Sequence, residues 1–225
     1  AQPGLQATGL ARCNSWNLGI NTCSIGFNAI GTLISDHFQP SWNSCATGYK
    51  SRASGTIRCN LVQFYGGEIR GCGTSTTGVG WGLDIGDSNG VYLFGVDNES
   101  NGTSGNTSTG GMVLRSSNGT ETGNSNIAVY SGWFENNLGQ TISVEAASGL
   151  YFSMYNVPII NAESGRALTV GAVASVVLDS VVAAGAVDAV VLAALVEPAA
   201  KVALPAPVLK GVVRPDFIEG VIVER

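Results

Sequence analysis

The sequence predicts an all-β solenoid of stacked coils, and three observations carry that prediction. Glycine supplies 31 of the 225 residues, roughly twice its usual share, with Asn, Ser and Thr abundant beside it. Hydrophobic residues reach 44% while charged ones reach only 12%. There is a core to bury, but not the Leu, Glu, Lys and Arg that a helical bundle needs. Short apolar segments also recur along the chain with a nearly constant period, the mark of a repeat architecture.

Two series of segments interleave from Gly80 onward. The first contains Trp81-Gly82-Leu83-Asp84-Ile85, Met112-Val113-Leu114-Arg115, Thr141-Ile142-Ser143-Val144, Ala167-Leu168-Thr169-Val170 and a weaker Val190-Val191-Leu192. Leu83, Leu114, Ile142, Leu168 and Val190 are read as equivalent, with spacings of 31, 28, 26 and 22. The second contains Val91-Tyr92-Leu93-Phe94, Ile127-Ala128-Val129-Tyr130, Leu150-Tyr151-Phe152-Ser153, Val176-Val177-Leu178 and Val202-Ala203-Leu204. Val91, Ile127, Leu150, Val176 and Val202 are read as equivalent, with spacings of 36, 23, 26 and 26. Leu61-Val62-Gln63-Phe64 is an earlier copy of this second part.

Period-two alternation within each segment means strands whose every second side chain faces inward. One strand pair cannot bury its own apolar face, so coil must stack on coil, with like positions forming ladders. Six to eight coils are expected. Asn89, Asn126 and Asn156 fall near turns, where asparagine tolerates the left-handed conformation. Residues 97–126 read as one long surface excursion, crossed by Met112, Val113 and Leu114. Its Asn-x-Ser/Thr triplets, at Asn98, Asn101, Asn106 and Asn118, are what chance gives in such a composition. Residues 1–55 are expected to be irregular or capping coils, 56–213 the solenoid, and 214–225 a C-terminal cap strand.

The late coils are apolar at successive positions, as in Ser175-Val176-Val177-Leu178 and Val190-Val191-Leu192. Both faces then need cover, and a second copy of the chain is the simplest one. No transmembrane span is expected, because Asp179, Asp188, Glu197, Lys201 and Lys210 interrupt the apolar region. With a net charge of −5 and three lysines, a nucleic-acid surface is not expected either. The chain opens on Ala1 rather than Met, as a mature or excised piece of a longer protein would.

Cys13, Cys23, Cys45, Cys59 and Cys72 all lie in the first third, and an odd count leaves at least one free thiol in a monomer. They read as small buried hydrophobes with at most one or two bridges. Without CxxC, and with His37 the sole histidine, no metal site and no cofactor are expected. His37 reads as a loop residue rather than a general base. GxSxG, P-loop and calcium-loop patterns are absent.

Short Val/Ile/Leu strands closed by Gly/Asn turns stand out in Asn89-Gly90-Val91-Tyr92-Leu93-Phe94 and Trp133-Phe134-Glu135-Asn136-Asn137-Leu138-Gly139. The pattern resembles the single-stranded right-handed parallel β-helix of pectate-lyase-like proteins, and especially bacteriophage tailspikes and capsule depolymerases. The resemblance covers residues 56–213, and the handedness rests on it alone. It implies a homotrimer, here buried chiefly by residues 167–213, in a virion or extracellular setting with other virion proteins as partners. It also implies that the ligand is a cell-surface polysaccharide, bound and, in the enzymatic version, cleaved by a glycoside hydrolase. A non-enzymatic structural or receptor-binding virion protein is the alternative. A secreted bacterial polysaccharide lyase or adhesin fragment is a second, weakened by the missing Lys/Arg base cluster.

A carbohydrate site needs carboxylates and flat aromatic platforms. If Leu83 and Ile85 point inward, Asp84 points outward and Arg115 takes the matching outward place one coil on. Asp87, Asp97, Glu99 and Glu135 fall at turns after strands, Glu99 and Glu135 in similar places one coil apart. Asp84, Glu99 and Glu135 are thus the candidate catalytic residues. Tyr92, Phe94, Tyr130 and Tyr151 alternate with inward residues, with Tyr65, Trp133 and Tyr155 close by. Tyr92, Arg115, Tyr130, Trp133 and Tyr151 are the candidate sugar-binding residues.

Overall fold

A computed structural model describes residues 3–74, 79–115, 125–145, 147–163, 166–170, 173–179, 182–184 and 201–203. These residues are all-β, without a helix, and their strands form three parallel sheets. Sheet A contains Leu5–Thr8, Ile25–Ile30, Thr47–Arg52, Gly80–Gly86, Thr109–Arg115, Gln140–Val144 and Leu168–Val170. Sheet B contains Cys13–Trp16, Ser35–Phe38, Cys59–Tyr65, Ser88–Phe94, Ser125–Tyr130, Ala147–Tyr155, Val173–Asp179 and Lys201–Ala203. Sheet C contains Gly19–Asn21, Ser41–Asn43, Glu68–Arg70, Asp97–Glu99, Trp133–Glu135, Pro158–Ile160 and Val182–Ala184. The chain visits A, B and C in turn and then returns to A, so through Val182–Ala184 strands three apart in the order pair with one another, and Lys201–Ala203 pairs with Val173–Asp179. Seven such coils are described, an arrangement consistent with a parallel β-helix solenoid.

Three features differ from the sequence-based expectation. Each coil has three strands, not two. The strands of sheet C are three residues long, too short to display alternation, and the first six have one inward side chain each. Second, residues 5–52, expected as irregular or capping coils, carry regular strands of all three sheets. Their inward positions hold Phe27, His37, Trp42 and Tyr49 rather than the aliphatic runs of the later coils. Third, the register shifts by two residues at two places. Leu83 pairs with Met112, which pairs with Ile142, so Leu114 belongs to the column of Ile85. Ile127 pairs with Phe152, not Leu150. The cap strand expected at 214–225 lies outside the described residues, as do most of residues 167–213.

Corners are made one residue at a time. The residue after each of the first six strands of sheet B has positive φ: Asn17, Gln39, Gly66, Gly95, Ser131 and Asn156. The residue after each of the first six strands of sheet C does too: Thr22, Ser44, Gly71, Ser100, Asn136 and Asn161. This left-handed conformation costs a residue with a Cβ roughly 1–2 kcal/mol, so Gly and Asn recur there. Asn156 has it at a corner and Asn126 has it near the start of strand Ser125–Tyr130, whereas Asn89 does not.

Within the expected excursion at 97–126, residues 97–115 run close to the coil and carry strands of sheets C and A, while 116–124 lie outside the described residues. Asn98 points into the core from sheet C, and Asn101 and Asn137 are buried at the corner beyond it. Asn101 Nδ2 donates to the Ile69 carbonyl at 2.8 Å and to Asn98 Oδ1 at 3.0 Å. Asn98 Nδ2 donates to the Gly111 carbonyl at 3.1 Å, and Asn137 Nδ2 to the Asn98 carbonyl at 2.8 Å. Asn101 Oδ1 accepts from the Cys72 N–H at 2.8 Å, and Asn137 Oδ1 from the Asn101 N–H at 3.0 Å. A buried polar group is tolerated only when paired in this way.

Facing this network is a column of glycines on sheet A: Gly26, Gly48, Gly82 and Gly111. A Cβ on Gly48 would lie 2.6 Å from the Gly82 carbonyl oxygen and 2.9 Å from Ile69 Cγ2. Backbone cannot yield as a flexible side chain can. Gly48→Ala is expected to lower stability by about 2–3 kcal/mol, read as a lower urea midpoint with an unchanged slope. An unchanged midpoint would mean that the column is not close-packed.

Candidate functional site

Sheet B puts aromatic residues on its outer face by alternation. Ser15, His37, Phe64, Leu93, Val129 and Met154 point inward, so the next residue of each strand points out. Those residues are Trp16, Phe38, Tyr65, Phe94, Tyr130 and Tyr155, and they stack into one ladder. Successive ring centroids are 3.9, 4.8, 5.3, 5.1 and 5.0 Å apart, with planes within 11° of parallel. Tyr155, not Tyr151, is the rung after Tyr130, because the register places Phe152 opposite Ile127. Rings stacked this closely cover one another's faces. Trp16, at the end of the ladder, is the exposed exception at 68%.

Beside the ladder runs the column Asn14, Asp36, Gln63, Tyr92, Ala128 and Ser153. Ala128 and Ser153 are much smaller than Tyr92 and leave a hollow on the outer face. The hollow is lined by Tyr92, Asn126, Ile127, Ala128, Tyr130, Tyr151 and Ser153, with a volume of about 190 Å³. Tyr151 stands at its rim, 57% exposed. Tyr92 lies 6.5 Å from Phe94 at 24°, outside the parallel stack. Three of the expected sugar-binding residues, Tyr92, Tyr130 and Tyr151, are thus brought together here.

The other two are elsewhere. Arg115 belongs to sheet A, where it pairs with Gly86 rather than Asp84. Its Nε still reaches Asp84 Oδ1 at 2.9 Å, and Arg52 holds Asp84 Oδ2 at 2.7 Å. Asp84 is 4% exposed, so the catalytic candidate that the sequence places outward is a nearly buried carboxylate clamped by two guanidinium groups. Lys50 and Glu145 complete the cluster. Burial lowers the Lys50 pKa, helped by Arg52, and burial raises that of Glu145.

Trp133, Glu99 and Glu135 belong to sheet C, on a different face from Asp84. Glu99 and Glu135 are ladder partners, as expected, and Asp97 is the partner of Trp133. Glu135 Oε2 accepts from the Trp133 indole N–H at 2.8 Å. Glu99 lies 3.5 Å from Arg70. Burial raises the Asp97 pKa, and Glu99, Glu68 and Glu135 raise it further. These acids sit on strands rather than turns, and the structure does not bring Asp84 to Glu99 and Glu135.

No family model, curated protein or solved structure matches the chain. The geometry of the site therefore carries the functional reading by itself. His37, read from sequence as a loop residue, lies in a sheet B strand and is fully buried. No group of three or more His, Cys, Asp or Glu among the described residues is arranged to hold a metal ion.

Proposed function

We propose that the chain is a polysaccharide-binding protein of the tailspike kind, a right-handed β-helix carried on a virion or otherwise outside the cell. The supporting observation is the hollow on sheet B. Tyr92 and Tyr151, which lie outside the ladder, offer rings to the C–H faces of a sugar, and Tyr130, its faces covered in the stack, offers its edge and hydroxyl. Asn126 and Ser153 offer hydrogen bonds to its hydroxyls. Binding without cleavage fits the geometry best, because Asp84 is occupied by Arg52 and Arg115 and stands apart from the other acids. Assembly into a homotrimer through residues 167–213 and contact with other virion proteins belong to the same reading.

Surface plasmon resonance against a panel of bacterial capsules and lipopolysaccharide O-chains tests it. At least one glycan should be retained. Tyr130→Ala and Tyr151→Ala should each weaken its binding about 10-fold, roughly 1.4 kcal/mol. Binding to none of the panel, or binding indifferent to Tyr151→Ala, would overturn the proposal.

A second reading, depolymerisation at sheet C, is favoured by one observation. Asp97, with its raised pKa, stands beside Trp133 and next to the Glu99–Glu135 pair. A carboxyl whose pKa is raised is the better general acid of a pair, with Glu135 as base or nucleophile. Release of reducing ends that Glu135→Gln abolishes would support this reading over simple binding.

A further inference from the structure

Cys23, Cys45 and Cys72 stand in one column on three consecutive coils. Each follows by two residues the end of its sheet C strand, and those ends, Asn21, Asn43 and Arg70, are ladder partners. The backbone ladder continues through the cysteines. The Ala46 N–H donates to the Cys23 carbonyl at 2.9 Å, and the Gly73 N–H to the Cys45 carbonyl at 3.0 Å. Neighbouring rungs therefore place their Cα atoms about 4.8 Å apart, inside the roughly 4.4–6.8 Å that a disulfide spans. All three thiols are free, and each Sγ lies against the carbonyl two residues back, 3.4, 3.5 and 3.6 Å from those of Asn21, Asn43 and Arg70, so the three side chains share one orientation along the column. Cys45 and Cys72 are buried, whereas Cys23 is partly exposed and opens the column to solvent. The remaining two cysteines have no such neighbour, since Cys13 pairs with Ser35 and Cys59 with Ser88.

We propose that this column is an oxidation site, at which a hydroperoxide oxidises Cys23 and Cys45 then closes a Cys23–Cys45 disulfide that staples the first coil to the second. With hydrogen peroxide, the Cys23 sulfur attacks one oxygen, the O–O bond breaks, and water leaves Cys23 as a sulfenic acid. The Cys45 thiolate attacks that sulfur, the S–O bond breaks, and hydroxide leaves as water with the proton Cys45 gave up. Two thiols lose two hydrogens and one peroxide becomes two waters. The neighbouring Cys72 side chain lowers the Cys45 thiol pKa, which favours the thiolate that makes this attack. The Cys45 side chain and burial push the Cys72 pKa up, which favours its thiol form and makes it the weaker nucleophile of the two.

The test uses the full chain, reduced, freed of reductant and treated with hydrogen peroxide at neutral pH. N-ethylmaleimide is then added in denaturant, followed by peptide mass mapping. The expected product lacks two hydrogens, takes three maleimides where the untreated chain takes five, and yields a peptide linking Cys23 to Cys45. Oxidation should raise Tm by about 5 °C or more. Cys13→Ser should keep the link and the shift, and Cys23→Ser should lose both. Five maleimides after oxidation, sulfinic or sulfonic acid without a cross-link, or a bridge joining any other pair would overturn the proposal.

Discussion

Taking the protein from pH 7 to pH 4.5 is expected to cost about 2–3 kcal/mol of stability through His37 alone. The ring is fully buried among Phe27, Trp42, Tyr49 and Phe64, with centroid distances of 4.7, 5.6, 5.6 and 5.1 Å. Nδ1 shares a 2.8 Å hydrogen bond with Ser15 Oγ, while Nε2 has no partner among the described residues. A charged ring would be desolvated there with no anion beside it, and burial accordingly lowers its pKa from 6.5 to about 3. Between those two values the unfolded chain binds a proton that the folded chain refuses. Stability is therefore complete above the unfolded pKa and falls as pH drops from about 6.5 toward 3, by about 1.4 kcal/mol per unit. Urea midpoints at pH 7 and 4.5 measure the loss. A Ser15→Ala/His37→Phe variant, which removes both hydrogen-bonding groups together, should lose at least about 2 kcal/mol less than the wild type. An equal acid loss in both proteins would place the effect in the carboxylates instead.

Asp84→Ala should be the most destabilising change on the outer faces, at about 3–5 kcal/mol. The carboxylate divides its two oxygens between Arg52 and Arg115, whose side chains are only 18% and 23% exposed. Removing it leaves two cations close together with little water to screen them. Gly86 matters to the geometry, since a Cβ there would run into the Arg52 guanidinium. Asp84→Asn keeps the shape and loses the charge, so it should fall between wild type and Asp84→Ala. A loss under about 1 kcal/mol for Asp84→Ala would show that this cluster behaves as an ordinary exposed ion pair.

Repetition made the solenoid legible, and alternation made the strands of sheets A and B legible. Sheet C was not, since one inward side chain in a three-residue strand has no period. Register failed where apolar residues sit at several adjacent positions, as in Leu150-Tyr151-Phe152, because any of them can be aligned as the inward one. A better ruler was present. Trp16, Phe38, Tyr65, Phe94, Tyr130 and Tyr155 are spaced by 22, 27, 29, 36 and 25 residues. Cys23, Cys45, Cys72, Asn101, Asn137 and Ala162 repeat the same intervals. Two unrelated residue types keeping step over six coils fix the register, and would have named Tyr155 as the rung after Tyr130. The clamp on Asp84 was half legible. Arg115 was found through its neighbouring coil, while Arg52 lay in a region without the aliphatic repeats. The burial of Asn98 and Asn101 was hidden because asparagine in a Ser/Gly/Thr-rich segment looks solvated, and only the bare carbonyls of the coil explain why it is not.

The matched intervals also mean that the path from the aromatic rung to the Cys/Asn position is always seven residues long. Both left-handed corners fall within or at the start of that path, and it never lengthens. All change in coil length occurs on either side of sheet A. The molecule thus has a conserved-length seam along one flank and an elastic flank opposite it. Insertions on the elastic side can grow without moving the seam, so the aromatic ladder keeps its stack, whereas the hollow, whose walls Tyr92 and Tyr151 precede the seam, lies where the coil is free to diversify.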